Sequence, residues 1–164
     1  MALAADDLAA RMRSSWERNA AAWTDAVRER RIASRRAGTD AAIVAAVLRS
    51  QPESVLDVGC GEGWLARELS ARGCRVSGID ASEALIVSAR NLGGGTFVAM
   101  TYAGIAARAD ALGAPFDVVV CNFSLLEEDL SAELRALRSV LAADGLLLIQ
   151  TVHPWTANRD AQYV

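Results

Sequence analysis

Short apolar segments alternate with longer amphipathic ones through most of the chain. The apolar segments have the length and composition of buried strands, and they cover residues 55–58, 75–79, 96–100, 116–121 and 146–152. The intervening pattern predicts helices over 63–72, 82–91, about 103–111 and about 130–142. Strands joined by helices of about ten residues run parallel with right-handed crossovers. The pattern therefore predicts an α/β fold with a doubly wound, mainly parallel sheet.

The beginning of the chain has a helical pattern without strands. Residues 3–36 predict a long helix, one face of which carries Trp16, Ala20, Trp23 and Val27. A second helix follows and ends before Pro52, which cannot continue it. We therefore expect an N-terminal helical cap at 1–50 and a core at 51–164. The two tryptophans belong either to the core or to a lid, and in a lid Trp23 closes over a bound ligand.

Composition and charge narrow the classes of function. The 164 residues are 52% hydrophobic and 23% charged, as in a soluble globular domain. No apolar run reaches the roughly 18 residues of a membrane span, and the N-terminus lacks a signal-peptide pattern, so we expect a cytoplasmic protein without a membrane partner. The net charge of −3 disfavours a nucleic-acid partner. Three cysteines at unrelated spacings and a single histidine predict neither disulfides nor a metal site.

Three glycines follow the first predicted strand at alternate positions. Gly59, Gly61 and Gly63 allow a sharp turn and remove Cβ atoms that would hold a ligand away. The helix that begins near Gly63 presents N–H groups to the same space, which favours a carboxylate or a phosphate. Asp80 ends the second strand, where a carboxylate can accept hydrogen bonds from two ribose hydroxyls. In a doubly wound sheet these residues converge with those at 101–102, 122–124 and 153–155.

The spacing of this loop discriminates between two ligands. A dinucleotide fingerprint requires glycine at its first, third and sixth positions, and the sixth position here is Trp64. Asp57 precedes the glycines, and its carboxylate would repel a pyrophosphate but attract an ammonium or sulfonium group. S-adenosylmethionine combines a ribose, a carboxylate and such cations. The loop therefore favours S-adenosylmethionine over NAD.

The segment VLDVGCGEGWLARELSARGCRVSGIDAS at 55–82 resembles the first motifs of the class I S-adenosylmethionine-dependent methyltransferases that act on small molecules. FDVVVCNFSLL at 116–126 and LRSVLAADGLLLIQTVHPW at 137–155 are similar to the fourth and fifth strands of that family. The resemblance implies a Rossmann-like fold, with S-adenosylmethionine as cofactor and S-adenosylhomocysteine as product. It also implies that Asp57, Gly59 and Gly61 line the methionine part of the cofactor and that Asp80 accepts hydrogen bonds from the ribose hydroxyls. Ala81 would contact the adenine, and Asn122 and Phe123 would flank the methyl-transfer side.

Two departures from the family pattern affect the site. Many members have an acidic residue after the third strand that accepts a hydrogen bond from the adenine amine, whereas here Thr101, Tyr102 or a backbone carbonyl must serve. The fourth-strand motif is NFSL rather than the Asn/Asp-Pro-Pro-aromatic form used on planar amines. This difference again disfavours a nucleic-acid substrate.

The family usually completes its sheet with an antiparallel hairpin beside the fifth strand. This sequence has no residues for that hairpin, and LLLIQTV would otherwise form a long apolar edge. We therefore expect the chain to be an incomplete copy of its domain. The alternative is a homodimer that pairs through the edge of the fifth strand.

Further candidate residues surround the predicted loop. His153 is a candidate general base, or it stabilises the His-Pro-Trp turn. Tyr102 is a second catalytic candidate, a contact to the adenine, or a packing residue. Arg35 lies in the basic segment RERRIASRR, which is either solvated or in contact with the ligand carboxylate. Cys60 is expected to contribute its backbone N–H.

The sequence as a whole predicts methyl transfer from S-adenosylmethionine to a small-molecule acceptor. One alternative is a non-catalytic module that binds S-adenosylmethionine or S-adenosylhomocysteine. A nicotinamide-dependent oxidoreductase is disfavoured by Asp57 and Trp64. The sequence leaves open whether oxygen, nitrogen, carbon or sulfur accepts the methyl group.

Overall fold

A five-stranded parallel sheet forms the centre of the molecule. The computed structural model describes residues 5–126 and 129–152, with side chains from residue 10 onward. The strands are β1 (Ser54–Val58), β2 (Arg75–Asp80), β3 (Thr96–Ala99), β4 (Phe116–Asn122) and β5 (Leu141–Gln150). Their order across the sheet is β3-β2-β1-β4-β5, and every neighbouring pair is parallel. The prediction of a doubly wound α/β sheet is confirmed.

The winding of the sheet reverses between β1 and β4. From β1 the chain proceeds through β2 to β3 at one edge, and it then returns to β4 and β5 on the other side. The connections that leave β1 and β4 therefore separate above the carboxyl ends of these strands. This divergence opens a crevice at the reversal point, where ligands of such sheets bind.

Helices cover both faces of the sheet. They are α1 (Ala5–Arg28), α2 (Asp40–Leu48), α3 (Trp64–Ser70), α4 (Glu83–Leu92), α5 (Ala109–Leu112) and α6 (Ser131–Arg138). Alternate strand residues point to opposite faces, so Val55 packs with α2, α3 and α4 in one cluster and Leu56 packs with α5 and α6 in the other. Both side chains are fully buried, which makes the sheet the rigid support of the crevice. Among the residues described, no helix is both long and apolar enough to cross a membrane.

Several elements differ from the sequence prediction. The single helix predicted over about 103–111 is instead two short 3₁₀ turns, Tyr102–Gly104 and Ala106–Arg108, followed by the four-residue α5. The helix predicted over 3–36 ends at Arg28, since Arg30 adopts a positive φ of 55°. The helix predicted over 130–142 ends at Arg138, and β5 begins at Leu141 instead of residue 146. The register between β4 and β5 shifts after Phe116, and a Cβ on Gly145 would lie only 2.8 Å from the Phe116 carbonyl oxygen. A backbone irregularity therefore lies within β5, just before residue 146, where the sequence predicted that the strand begins.

A carboxylate on α1 fastens this helix to the N-terminus of α4. Ser82 is the N-cap of α4, and its hydroxyl oxygen accepts a hydrogen bond from the Leu85 N–H. The Ser82 hydroxyl donates in turn to Glu17 at 2.6 Å, and the Ala84 N–H donates to the same carboxylate at 3.3 Å. The negative charge of Glu17 also interacts favourably with the helix dipole. The contact holds α1 beside the crevice.

Replacement of Glu17 with alanine should loosen α1 without melting the sheet. Hydrogen bonds to a charged group contribute about 1.5–3 kcal/mol each, so we expect amide exchange within α1 to accelerate by at least about tenfold. Hydrogen exchange followed by mass spectrometry measures this effect. Asp25→Ala is the matched control, because Asp25 is an exposed carboxylate on the same helix. Equal exchange in the two variants would contradict the role of Glu17.

Candidate functional site

A cavity of about 410 Å³ lies at the carboxyl ends of β1, β2, β3 and β4. This volume falls within the range of about 300–1,000 Å³ that is usual for small-molecule sites. Most of the residues that the sequence assigned to the cofactor form its wall. They are Trp23, Arg35, Asp57, Gly59, Cys60, Gly61, Asp80, Ala81, Thr101, Tyr102, Asn122 and Phe123.

The loop after β1 is held by the strand beside it and by a buried ion pair. The N–H groups of Gly59 and Cys60 donate to the Ile79 carbonyl at 2.8 and 2.9 Å. The fully buried carboxylate of Glu62 receives hydrogen bonds from the Arg67 guanidinium at 2.8 and 2.6 Å. Arg67 also donates to the Glu62 carbonyl oxygen. These contacts fix the loop in place before any ligand binds.

The three glycines of this loop lie close to different neighbouring residues, which a side chain at each position would contact. A Cβ on Gly59 would lie 2.3 Å from the Cβ of Ser124, and one on Gly63 would lie 3.0 Å from the Phe97 ring. A Cβ on Gly61 would have only the Trp23 Nε1 nearby, at 3.6 Å. The prediction that all three make room for a ligand is therefore corrected. Gly63 does not line the cavity, and it is a glycine because helix α3 packs closely against β3 and α4.

Asp80 joins the loop after β1 to the start of α4. One carboxylate oxygen accepts a hydrogen bond from the Gly61 N–H and the other from the Ser82 N–H, both at 2.9 Å. Burial raises the pKa of Asp80, although these backbone hydrogen bonds lower it in part. Each oxygen retains a lone pair, so the carboxylate can still accept from a ligand hydroxyl.

Asp57 places a second carboxylate in the wall, and this one is poorly compensated. The side chain is only 2% exposed, and its Oδ2 has no hydrogen-bond partner among the described residues. Burial, with the nearby charge of Asp80 as a smaller cause, raises the pKa of Asp57 to about 7. The Oδ1 of Asn122 is likewise buried without a partner in the described part of the chain. Unsatisfied acceptor oxygens of this kind suit a ligand that carries N–H groups and positive charge.

Helix α1 contributes an aromatic wall. The Trp16 and Trp23 rings pack edge to face, with centroids 5.4 Å apart, and both line the cavity. Trp23 lies beside Gly61, which is the arrangement expected of a lid residue. The placement of the two side chains supports the lid interpretation over burial in the core.

Arg35 also lines the cavity, but part of its guanidinium is already engaged. Its Nε donates to Asp40 at 2.8 Å, and its guanidinium carbon lies 4.3 Å from the centre of the Trp64 ring. This ion pair and the stacking contact hold the side chain against the start of α3. Contact between Arg35 and a ligand carboxylate remains a prediction.

Tyr102 and Cys60 have restricted chemistry in this environment. The Tyr102 hydroxyl donates to the Ser124 carbonyl at 2.8 Å, and burial raises the pKa of the phenol. Burial, together with the negative charge of Asp57 and Asp80, raises the pKa of the Cys60 thiol. Both groups are therefore neutral at pH 7. His153, the other catalytic candidate, lies outside the described residues.

The sequence analysis did not identify three glutamates that contribute to this region. Glu62 supports the loop, Glu17 fastens α1, and Glu133 on α6 lines the cavity. Glu62 lies inside the glycine motif, so its spacing could have drawn attention to it. Glu17 and Glu133 reach the site from distant segments, and no local pattern marks them.

Residues 22–164 match a family model described as a methyltransferase domain. The chain belongs to this family. It is 35% identical, over 105 residues, to the ubiquinone biosynthesis O-methyltransferase of Pseudomonas paraeruginosa, and that match covers 62% of this chain and 45% of the relative. The same-named protein of Stutzerimonas stutzeri is 34% identical over the same length. The chain thus spans about half the length of the curated relatives that it matches.

Solved structures of methyltransferases share the fold. The plantazolicin methyltransferase BpumL, crystallised with SAH, superposes with a TM-score of 0.65 at 20% identity, and the match covers 93% of this chain and 62% of that one. Magnesium protoporphyrin IX methyltransferase from Synechocystis PCC 6803, also with bound SAH, gives a TM-score of 0.52 at 27% identity, over 63% and 50% of the two chains. The expected family and its cofactor, S-adenosylmethionine, are confirmed.

The methyltransferase cofactor fits the donors and acceptors of this cavity. Its ammonium and sulfonium groups match the oxygens of Asp57 and Asn122 that have no partner within residues 5–126 and 129–152, and its ribose hydroxyls match the remaining lone pairs of Asp80. A dinucleotide would bring a pyrophosphate to the same carboxylates and be repelled. The negative charge of this wall therefore favours S-adenosylmethionine, the cofactor of the family, over a dinucleotide.

Gly59→Ala should destabilise the domain far more than a matched glycine replacement. Gly73 has a similar positive φ, 94° against 74°, but open space around its Cβ position. We expect Gly73→Ala to lower the free energy of unfolding by about 1–2 kcal/mol and Gly59→Ala by about 3 kcal/mol or more. Ser124→Gly should restore part of the loss in the Gly59→Ala background. Urea unfolding of the four proteins measures these values, and equal losses in the two alanine variants would refute the packing argument.

Binding of S-adenosylmethionine should release a proton from Asp57. Without ligand its pKa is about 7, and a bound cation lowers that value. The bound state therefore holds fewer protons below pH 7, so the association constant should rise by up to tenfold per pH unit until about pH 7 and then level off. Titration calorimetry in buffers of different ionisation enthalpy measures the proton release. Asp57→Asn should show a much shallower pH dependence, and a slope identical to that of the unmodified protein would contradict the assignment.

Proposed function

We propose that this chain carries the cofactor site of a methyltransferase that transfers a methyl group from S-adenosylmethionine to a small, largely apolar acceptor. The observation that supports this most is the composition of one cavity wall. It combines the carboxylate of Asp80 with Asp57 and Asn122, each of which has a buried oxygen without a hydrogen-bond partner among the described residues. Aromatic and aliphatic side chains form much of the remaining wall.

The order of the strands suggests how the cofactor lies. We infer that its amino-acid part occupies the space beside the glycine loop, with Asp57 near the ammonium group and Arg35 near the carboxylate. Asp80 at the end of β2 then receives the ribose hydroxyls, and Ala81 lies against the adenine. The adenine points towards the end of β3, because β3 follows β2 in the sheet.

Positioning is the main contribution that this chain has to make. S-adenosylmethionine, when bound, supplies a methyl group on a positively charged sulfur, which is already a strong electrophile. Walls that hold an acceptor in line with that methyl group can lower the barrier by about 7–11 kcal/mol. Trp16 and Trp23 line the cavity from α1, and we infer that they lie over the bound cofactor and shield it from water. Asn122 and Phe123, at the end of β4, lie on the side where we place the acceptor.

The proposal assigns no general base within the described residues. The Tyr102 hydroxyl already donates a hydrogen bond to the Ser124 carbonyl, and burial raises its pKa, so Tyr102 is better suited to support the loop after β4 than to accept a proton at neutral pH. His153 remains a candidate from the sequence alone. An acceptor that ionises easily would need no base.

The nature of the acceptor follows from the apolar part of the cavity. This part is lined by Met12, Trp16, Ile32, Leu126, Leu130 and Val152. Such a surface favours an aromatic or aliphatic molecule, with the Arg13 side chain as a nearby cation. The relatives named as ubiquinone biosynthesis O-methyltransferases make an oxygen atom the first acceptor to test.

Asp80→Ala should abolish high-affinity cofactor binding. The variant loses the expected ribose contacts and frees the Gly61 and Ser82 N–H groups, so we expect S-adenosylmethionine and S-adenosylhomocysteine to bind at least about 100-fold more weakly. Titration calorimetry on the purified chain measures the affinities. Asp110→Ala, which removes an exposed carboxylate on α5, should bind like the unmodified protein. NAD should not bind, and binding of NAD alone would contradict the proposal.

Turnover distinguishes the enzyme from a module that only binds the cofactor. Incubation with methyl-labelled S-adenosylmethionine and a panel of apolar phenols should give labelled product. Tight binding without any transfer, across phenols, amines and thiols, would favour the non-catalytic module.

A further inference from the structure

Polar side chains form a row across the carboxyl end of the sheet on one of its faces. Asp57 is the register partner of Val120, and Asn122 is the register partner of Gln150. Register partners in parallel strands project from the same face, as do residues two apart along one strand. Val120 packs in the cluster that contains α2, so Asp57, Asn122 and Gln150 all lie on that face. The row runs from β1 through β4 to β5.

The end of this row at Gln150 is fixed by the start of α2. The Gln150 Nε2 donates to the Thr39 carbonyl oxygen at 3.2 Å, directly before that helix. The Gln150 Oε1, at the opposite end of the carboxamide, is buried and has no donor among the described residues. The Thr39 hydroxyl does not supply one, since it makes no hydrogen bond with them either. Reversal of the carboxamide would bring Oε1 against the Thr39 carbonyl oxygen, so its orientation is determined.

Asn122 lies beside Gln150 on the adjacent strand. The strands are spaced by about 4.8 Å, and the Phe123 N–H donates to the Gln150 carbonyl at 2.8 Å, so the pairing extends to the end of β5. The Asn122 Oδ1 is also buried without a donor in the described part of the chain, although the same carboxamide carries two N–H donors. Two neighbouring carboxamides thus leave two buried oxygens unsatisfied, which is unfavourable.

Rotation of the Asn122 carboxamide about χ2 corrects this arrangement. The torsion is broad and roughly two-fold, so the rotation requires no movement of the backbone. The Asn122 Nδ2 then donates to the Gln150 Oε1, and the Asn122 Oδ1 is left for a ligand in the cavity that Asn122 lines. The opposite orientation presents N–H groups to the ligand and leaves the Gln150 oxygen without a donor.

We propose that Gln150 is a positioning residue that holds the Asn122 carboxamide with its oxygen towards the sulfonium group, and thereby raises the affinity for S-adenosylmethionine relative to S-adenosylhomocysteine. The inference rests on the proposed function, because it uses the orientation with the ribose at Asp80 and the methyl-transfer side at β4. A carbonyl oxygen attracts the positive sulfur and its methyl hydrogens, whereas N–H groups repel them. The thioether of S-adenosylhomocysteine carries no charge and gains less from the same oxygen.

The test measures the ratio of the affinities for S-adenosylmethionine and S-adenosylhomocysteine by titration calorimetry on the full chain. Gln150→Met keeps the length of the side chain but removes both ends of the amide, so Asn122 loses its partner. We expect the ratio to fall by about threefold to tenfold, as for the loss of one polar contact. The ratio is informative because a general structural defect weakens both ligands alike. Gln51→Met, at an exposed glutamine outside the cavity, is the matched control and should retain the ratio.

Two further variants show whether the effect of Gln150 passes through Asn122. In an Asn122→Ala background, Gln150→Met should leave the ratio unchanged, because no carboxamide remains to be oriented. A fall of equal size in both backgrounds would overturn the inference. Gln150→Glu keeps an acceptor oxygen for Asn122 but loses the donor to Thr39, so it should not lower the ratio. A loss equal to that of Gln150→Met would assign the effect to the anchoring of α2 and overturn the inference as well.

The side-chain amide of Asn122 provides an independent measurement on the unmodified protein. Its NMR signal is identified by its absence from Asn122→Asp. In the complex with S-adenosylmethionine its N–H groups should exchange at least about tenfold more slowly than those of the exposed Asn91 on α4. Equal exchange of the two amides, or an unchanged ratio in Gln150→Met, would overturn the role of Gln150 and leave the proposed function intact. Failure of the unmodified protein to bind either ligand would overturn both.

Discussion

The carboxylate of Asp80 connects the parts of the molecule on which the site depends. It stands at the carboxyl end of β2 and accepts hydrogen bonds from the Gly61 N–H, in the loop after β1, and from the Ser82 N–H, at the start of α4. Ser82 in turn donates to Glu17, so the same chain of contacts reaches α1. One side chain thereby sets the distance between the glycine loop, the ribose position and the helix that covers the cavity. Without it the three segments would have no common anchor.

The site concentrates negative charge in a place where water is scarce. Asp57 and Asp80 share one wall, and the burial that raises the pKa of both carboxylates makes their ionised forms costly. A domain optimised only for stability would place apolar side chains at such positions. Glu62 differs from them, because its buried carboxylate is neutralised within the protein by the guanidinium of Arg67. Asp57, which lacks such compensation within the described residues, therefore suits a cationic ligand.

Much of this architecture could be predicted from the sequence, because the information is local. Apolar segments and the helices between them specify the parallel sheet, and Asp57, Gly61 and Asp80 occupy fixed positions relative to its strand ends. Contacts between distant segments could not be predicted in this way. The close approach of Ser124 to Gly59, and the arrival of Glu133 from α6, depend on how the layers pack. The same limit explains why Gly63 was assigned to the ligand although its neighbours are Phe97 and Ala89.

A crystal structure of the chain with S-adenosylhomocysteine would test the central claim most directly. The account predicts that the ligand's amino group lies beside Asp57 and that both ribose hydroxyls donate to Asp80, with donor–acceptor distances within about 3.2 Å. It also predicts that Trp23 covers the ligand. A ligand bound away from Asp80, or with its adenine directed towards the glycine loop, would contradict the account.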